Sequence, residues 1–428
     1  MSKIHTYEKL DSHVFVTKLA GFEHTAYIQP NATRYKRCSS DVPMVQGKNI
    51  RNGVFVKEYD WYIDEKISNC LPRSILNKEC ILIPYVGSNL GEVGIFYNHE
   101  KCHLASNIAK IELTDNAYDI EYVKYYLQSP IGQKFLFKEK QGSSQPNITM
   151  QSIRDTLIIK RSIEEQRKIA STLLSIDKII ENNTKINDNL QQQIKLLYDY
   201  WFSQFDFPNA KGSPYKSSGG EMEYSDRLKR YIPIGWMVES VVDNSISTPI
   251  KPGVEVFDQK TYLATADVNG TTISSGSIID FENREGRANM QPTVSSVWFA
   301  KMKNSIKHLY LNKQMQTFID STILSTGFCG LQCSEQSFEY VAAFIEHSYF
   351  ESVKDVLAHG ATQESVNSDD LLGLVMIVPK KEVLDLFHRR TAPMYAQIGK
   401  NICENQQLTK LRDWLLPMLM NGQAVVED

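Results

Sequence analysis

A long amphipathic segment occurs twice in this chain, in step with itself at a fixed separation. From Ser162 the sequence SIEEQRKIASTLLSIDKIIENNTKINDNLQQQIKLLYDYWF places Ile169, Leu173, Ile176, Ile180, Leu190, Ile194, Leu197 and Trp201 at steps of four and three. Asn183 and Asn187 fill the gap between Ile180 and Leu190 at the same spacing. Such steps return one residue per turn to a single face, so the segment predicts a helix with a heptad seam. Ser162 followed by Glu165 has the capping-box form of a helix start. A shift of 218 residues, the distance from Gly142 to Gly360, carries the seam onto Phe387, Thr391, Met394, Ile398, Asn401, Asn405, Leu408, Arg412, Leu415 and Leu419. Both asparagines recur. Two amphipathic helices on separate cores would explain each seam alone. Two matched seams with asparagines at the same midpoint favour a helical hairpin or coiled coil between the copies. In an antiparallel pair Asn183 and Asn187 lie near Asn405 and Asn401, where amides satisfy one another and penalise slipped registers. Thr391 and Arg412 weaken the second seam, while Pro393 predicts a kink and Pro417 a disturbed last turn.

The same shift relates GSSQPNITM, from Gly142, to GATQESVNS, from Gly360. Further upstream the repeat fades, but IPYVGSNLGEVGIFYN at 83–98 lies over VWFAKMKNSIKHLYLN at 297–312, and both predict strand, turn, strand. The fold class that follows is α+β: two mixed α/β domains joined by two long antiparallel helices, with an internal pseudo-twofold repeat. The expected boundaries are 1–160 and 237–378 for the domains, and 162–204 and 379–421 for the helices. Residues 205–236, dense in Gly, Ser and Pro, read as a linker.

Chemistry of its own is hard to find in the chain. No GxxxxGK[ST], HExxH or GxSxG motif occurs, nor the NPPY tetrapeptide of adenine methyltransferases. GSNLGEVG around Gly87 sits between strands, without the helix start that a dinucleotide site needs. Asp64 and Lys66 in DWYIDEKI have a superficial likeness to part of a nuclease metal site but no Pro-Asp partner upstream. Cys329 and Cys333 in CGLQC have no second Cys/His pair nearby to complete a zinc site. No catalytic residue and no metal site is assigned. The seven cysteines include no CxxC pair, no apolar run is long enough for a membrane span, and the start MSKIHTYEKLDSH has no signal-peptide form. A cytoplasmic protein without bound cofactor is expected.

What remains is binding. The net charge of −3 argues against a chain that grips nucleic acid unaided. Residues 1–218 carry 28 Lys and Arg against 24 Asp and Glu, while residues 219–428 carry 19 against 26. Local patches stand out against that balance. ATRYKRC supplies Arg34, Lys36 and Arg37 beside Tyr35, and GKNIRNG adds Lys48 and Arg51 with Asn49 and Asn52. In the second half Arg284, Arg287, Asn289 and Gln291 precede an acid-free run containing Lys301, Lys303, Lys307 and Lys313. Each patch alone reads equally as a solvated face. Their occurrence in both copies points to nucleic acid, with Arg and Lys for phosphates and guanine edges and Asn for adenine edges. Gln145 and Gln363, in the repeated Gly-small-Ser/Thr-Gln stretch, complete the candidate set.

SIEEQRKIASTLLSIDKIIENN, FDFPNAKGSPYKSSGGEMEYSDRLKRYIPIGW and LRDWLLPMLMNGQ resemble the conserved regions of type I restriction–modification specificity subunits. The resemblance spans both halves. It implies two target-recognition domains, each reading half of a split double-stranded DNA site, and two helices that set their separation. It also implies a non-catalytic subunit that joins two methyltransferase subunits and, with motor-nuclease restriction subunits, forms the host-defence complex. S-adenosylmethionine, ATP and Mg would then be bound by the partners. Two other classes fit the residues: the specificity chain of a type II-like modification system, and a coiled-coil scaffold that binds no DNA.

Overall fold

The computed structural model describes residues 6–97, 100–137, 147–274, 276–361, 363–424 and 426. The chain divides into two compact units, Met1–Lys178 with Thr409–Asp428, and Ile179–Leu408. Both boundaries fall inside the long helices, so each helix contributes to two cores.

In the first unit a four-stranded antiparallel sheet runs in the order Val14–Lys18, Ile108–Leu113, Cys80–Pro84, Gly94–Phe96. A second sheet has the order Tyr62–Ile63, Val42–Val45, Cys102–Leu104, Ile75–Leu76, and its middle pair is parallel. Tyr7–Lys9 pairs antiparallel with Leu157–Ile159. Asn52 and Gly53, both at positive φ (52° and 76°), turn a short hairpin between Ile50–Arg51 and Val54–Phe55. That is the backbone an Asn-Gly turn between twisted strands requires.

The second unit repeats this plan and adds one hairpin of its own. Its antiparallel sheet runs Ser247–Pro249, Phe328–Cys333, Ser296–Ala300, His308–Leu311. Its mixed sheet runs Ser277–Ile279, Lys260–Leu263, Thr322–Ser325, Ala288–Met290, again with a parallel middle pair. Met237–Ser240 pairs with Val375–Val378, and a hairpin joins Val268–Asn269 to Thr272–Ile273. The strand, turn, strand readings at 83–98 and 297–312 both correspond to hairpins of the antiparallel sheets. Cys80–Pro84 and Ser296–Ala300 are buried at every position. They lie between two strands and under helices, which explains why they read as apolar runs rather than alternating ones.

Each unit then places two short helices behind its antiparallel sheet: Ile120–Gln128 and Pro130–Leu136 in the first, Phe338–Glu346 and Ser348–Leu357 in the second. The long helices follow at Ile163–Tyr198, extended by a π-helical turn over Asp199–Ser203, and at Lys381–Met420. At 1.5 Å per residue they are about 54 and 60 Å long. Ser162 Oγ accepts from Glu165 N at 3.2 Å, whereas the Glu165 carboxylate turns to Arg161 rather than closing the capping box. Helical structure continues through Pro393 and Pro417.

The segment 205–236, expected to be a linker, is a folded part of the second unit. Phe207 stacks between Tyr215 and Trp236, with ring centroids 4.6 and 5.0 Å away, and Phe205 packs edge-on against Trp236. Asp206 accepts from the backbone N–H and hydroxyl of Ser217, and a hairpin pairs Met222–Ser225 with Arg230–Pro233. Its Gly and Ser residues supply turns, while its aromatics supply a core that composition alone conceals.

Candidate nucleic-acid interface

Three loops meet at one end of each antiparallel sheet. In the first unit Gly53 N donates to Glu92 Oε2 at 3.0 Å and Asn89 Nδ2 to Ile50 O at 2.7 Å, tying the 50–55 hairpin to the 85–93 turn. Ile148 N donates to Tyr85 O at 3.0 Å and brings the returning chain to the same turn. In the second unit Gly270 N donates to Ile306 O at 3.2 Å and His308 N to Gly270 O at 2.9 Å, joining the 268–273 hairpin to the 301–307 turn. Val366 N donates to Lys301 O at 3.0 Å. Ile148 and Val366 are repeat equivalents, and both are buried. The repeated stretch thus returns each chain segment to an equivalent turn. Gly142 and Gln145 themselves lie outside the described residues.

Most candidate cations are held by the protein's own acceptors. Lys48 pairs with Asp60, Arg51 with Glu58 at 2.9 Å and Lys303 with Glu364 at 2.7 Å, while Lys307 donates to Thr265 O. Arg37 Nε lies 3.9 Å from Asp41. The N–H groups of Arg37 and Cys38 hold the Asp41 carboxyl below the usual carboxylate range, the Arg37 N–H contributing most. The side chains of Lys36, Arg287 and Lys301 have no hydrogen-bond or ion-pair partner among the described residues. Arg34 rests over the Trp61 ring at 5.1 Å and Arg284 over Phe281 at 4.0 Å, which limits the freedom of each guanidinium while leaving N–H groups at its edge. Arg284 uses one of these on Phe281 O. Lys301, Lys303 and Gln363 come together because Met302 bridges to Ser365, and Gln363 Nε2 lies 3.5 Å from Met302 Sδ.

Asn49 is not available to a base. It is buried, its Oδ1 accepts from Gln46 N, and its Nδ2 donates to Val56 O and Glu58 O. Gln291 is likewise engaged, with Lys260, Pro292 O and Ile319 O. Asp64 caps the helix Glu65–Cys70. Burial pushes the Cys329 thiol up to about 12 and Cys333 also upward, away from the thiolate a metal would need. The hairpin tips Asn52-Gly53 and Asn269-Gly270 belong to the loop clusters. Their sequence signal is the Asn-Gly dipeptide that recurs in both halves.

Between the long helices, within the second unit, Asn183 Nδ2 donates to Asn405 Oδ1 at 2.9 Å and Asn401 Nδ2 to Asn187 Oδ1 at 2.8 Å. The repeat shift turns one pair into the other. The helices are antiparallel here, as they are in the first unit, where Arg161 Nη2 donates to Leu419 O and Arg412 to Asp177 at 3.1 Å. Arg412, which breaks the second seam, finds its counter-charge on the first helix.

A family model described as the type I restriction modification DNA specificity domain matches residues 33–192. The type I restriction enzyme MjaIX specificity subunit of Methanocaldococcus jannaschii is 26% identical over 325 residues, covering 72% of this chain and 70% of the relative. The HindI specificity subunit of Haemophilus influenzae is 23% identical over 337 residues, covering 67% and 73%. The chain is thus similar to type I restriction–modification specificity subunits over both halves. In fold the chain is similar to the crystal structure of a type I restriction-modification S subunit from M. genitalium. That likeness has a TM-score of 0.50 at 14% identity and covers 98% of this chain and 97% of the other. No described helix is long and apolar enough to cross a membrane.

Proposed function

We propose that this chain is the DNA-recognition subunit of a type I restriction–modification complex, each unit reading one half of a bipartite duplex site. The observation that carries the reading is the recurrence, in two units whose four-stranded sheets share one strand order, of one loop cluster flanked by cations. Two similar readers in one chain suit two half-sites on one duplex. Arg34, Lys36, Arg287 and Lys301 have side chains free to meet phosphates or guanine edges. With a net charge of −3, tight binding is expected only in complex with methyltransferase subunits. We assign the chain no reaction of its own. Methyl transfer from S-adenosylmethionine belongs to two methyltransferase subunits, and ATP- and Mg-dependent translocation and cleavage to restriction subunits, in the cytoplasm.

The test replaces residues 1–160 with the corresponding domain of a relative that reads another site. Methylated adenines are then mapped in cells by single-molecule sequencing. One half of the site is expected to change and the other to stay. A site unchanged, or changed in both halves, overturns the reading. Absence of any DNA shift by the chain with its methyltransferase partner would favour a scaffold.

A further inference from the structure

The turns of the two loop clusters are backed by the same helix positions, yet with opposite chemistry. In the first unit Gln128 Nε2 donates to Val93 O at 2.8 Å and Gln133 Nε2 to Gly91 O at 3.0 Å, so two neutral amides hold the 85–93 turn from behind. Gly91 has φ 85°, and a Cβ there would meet Phe137 Cζ at 2.7 Å, so the turn sits directly on this helix pair.

The repeat shift carries Gln128 and Gln133 onto Glu346 and Glu351, and Leu136 onto Lys354. Glu346 and Glu351 flank the buried His308, which closes the 301–307 turn, at 3.2 Å from Nδ1 and 2.8 Å from Nε2. Lys354 is 0% exposed. Its Nζ lies 2.6 Å from Glu351 Oε2 and donates to Ala300 O and Ser305 O, each at 3.2 Å. The ammonium thus has one ion-pair partner and two carbonyl acceptors, and the two carbonyls bracket residues 301–304. Asp355, the equivalent of Phe137, accepts from Asn304 N at 3.0 Å in the same turn. A leucine fills this position in the first unit, so packing alone does not require a lysine. Desolvating an ammonium is costly unless it is fully hydrogen-bonded, and here the partners are the carbonyls of the turn.

We infer that Gln128 and Gln133 in one unit, and Glu346, Glu351 and Lys354 in the other, are positioning residues that set the recognition turns, each group acting on its own half-site. The inference rests on the reading that these turns face DNA.

The test uses the full chain assembled with its methyltransferase partner, on a DNA library with both half-sites randomised, and sequences the methylated products. Lys354→Leu, which installs the first unit's residue, is expected to lower the preference for correct over mismatched bases roughly tenfold in the second half alone. Gln133→Leu does the same in the first half alone, and Lys354→Arg retains most of the discrimination. If Lys354→Leu fails to assemble, Glu351→Gln and Gln133→Leu carry the comparison. A merely structural role would lower methylation of all sites together and leave the ratio of correct to mismatched sites unchanged. That result, or relaxation of both halves by one variant, overturns the inference. A wild-type complex that selects no bipartite site would instead overturn the functional reading beneath it.

Discussion

The amide pair Asn187–Asn401 allows a quantitative test of the helix register. Asn401 is 1% exposed, with Nδ2 on Asn187 Oδ1 at 2.8 Å and Oδ1 accepting from Gln397 Nε2 at 2.7 Å. Asn401→Leu removes two hydrogen bonds, each worth about 1 kcal/mol net, and leaves the half-buried Asn187 carbonyl at a cost of about 1 more. Burial of the leucine offsets about 1.5–2 of this, so the single change costs on the order of 1 kcal/mol. Asn187→Leu is worse, about 2 kcal/mol, because it strands the fully buried Asn401 Nδ2. In the double variant no amide is stranded and two leucines meet across the seam, so its stability is expected within about 1 kcal/mol of wild type. The coupling is therefore about 2–4 kcal/mol, well above the few tenths by which independent sites depart from additivity. Urea unfolding of the full chain, followed by tryptophan fluorescence, suits the measurement because Trp201, Trp236 and Trp298 lie in the unit that holds both asparagines. Additive losses, with the double variant down by about 3 kcal/mol, would show that the two amides do not face each other.

Phe207→Ala, in the Gly/Ser-rich segment, is expected to lose about 3–5 kcal/mol of second-unit stability, as a buried aromatic does; a change under 1 kcal/mol in urea unfolding would mean the segment is a loose tether. Arg34→Ala is expected to weaken binding of the assembled complex by about 1–3 kcal/mol and relax one position of one half-site, read by competition gel shift; a uniform, purely salt-dependent loss would make Arg34 a phosphate contact. Burial disfavours a charged His308, but Glu346 and Glu351 outweigh this and raise its pKa above the usual 6.5, while His308 in turn helps hold both carboxyls below 4.5 against their own burial. His308 stabilisation is therefore full below pH 6.5 and lost as pH rises through its raised value, and the carboxylate contribution is lost as pH falls through their lowered ones. His308→Gln should flatten the alkaline limb of a Tm-against-pH curve, and an unchanged limb refutes the assignment.

The helices were legible because a heptad seam is a local pattern, and Asn183, Asn187, Asn401 and Asn405 interrupt it in step in both copies. The duplicated sheets were legible only where a turn glycine or an apolar run survived, since pairings such as Tyr7–Lys9 with Leu157–Ile159 join residues far apart in the chain. Segment 205–236 reads as a linker because Gly, Ser and Pro are dense in it, whereas Phe205, Phe207 and Trp236 decide the packing. Among the candidate contacts, residue type could not separate Lys48, Arg51 and Lys303, which carboxylates neutralise, from Lys36, Arg287 and Lys301. Asn49 matched the expected chemistry but proved to be a buried turn residue, a distinction that depends on where the chain folds back.

The first unit's core contains Leu416, Leu419 and Met420 beside Ile169 and Leu173, and the Arg161 guanidinium donates to the carbonyl of Leu419. The second unit is built from one uninterrupted stretch, Ile179–Leu408. Chains usually fold domain by domain from the N-terminus as they leave the ribosome. Here the order reverses at the last step. The second unit has all its residues before the first does, and the earliest-made globule must wait, its apolar face open, until some 240 further residues have been translated, about 12 to 48 s at 5–20 residues per second. A nascent chain stalled short of Leu416 would hold a finished second half and an unfinished first.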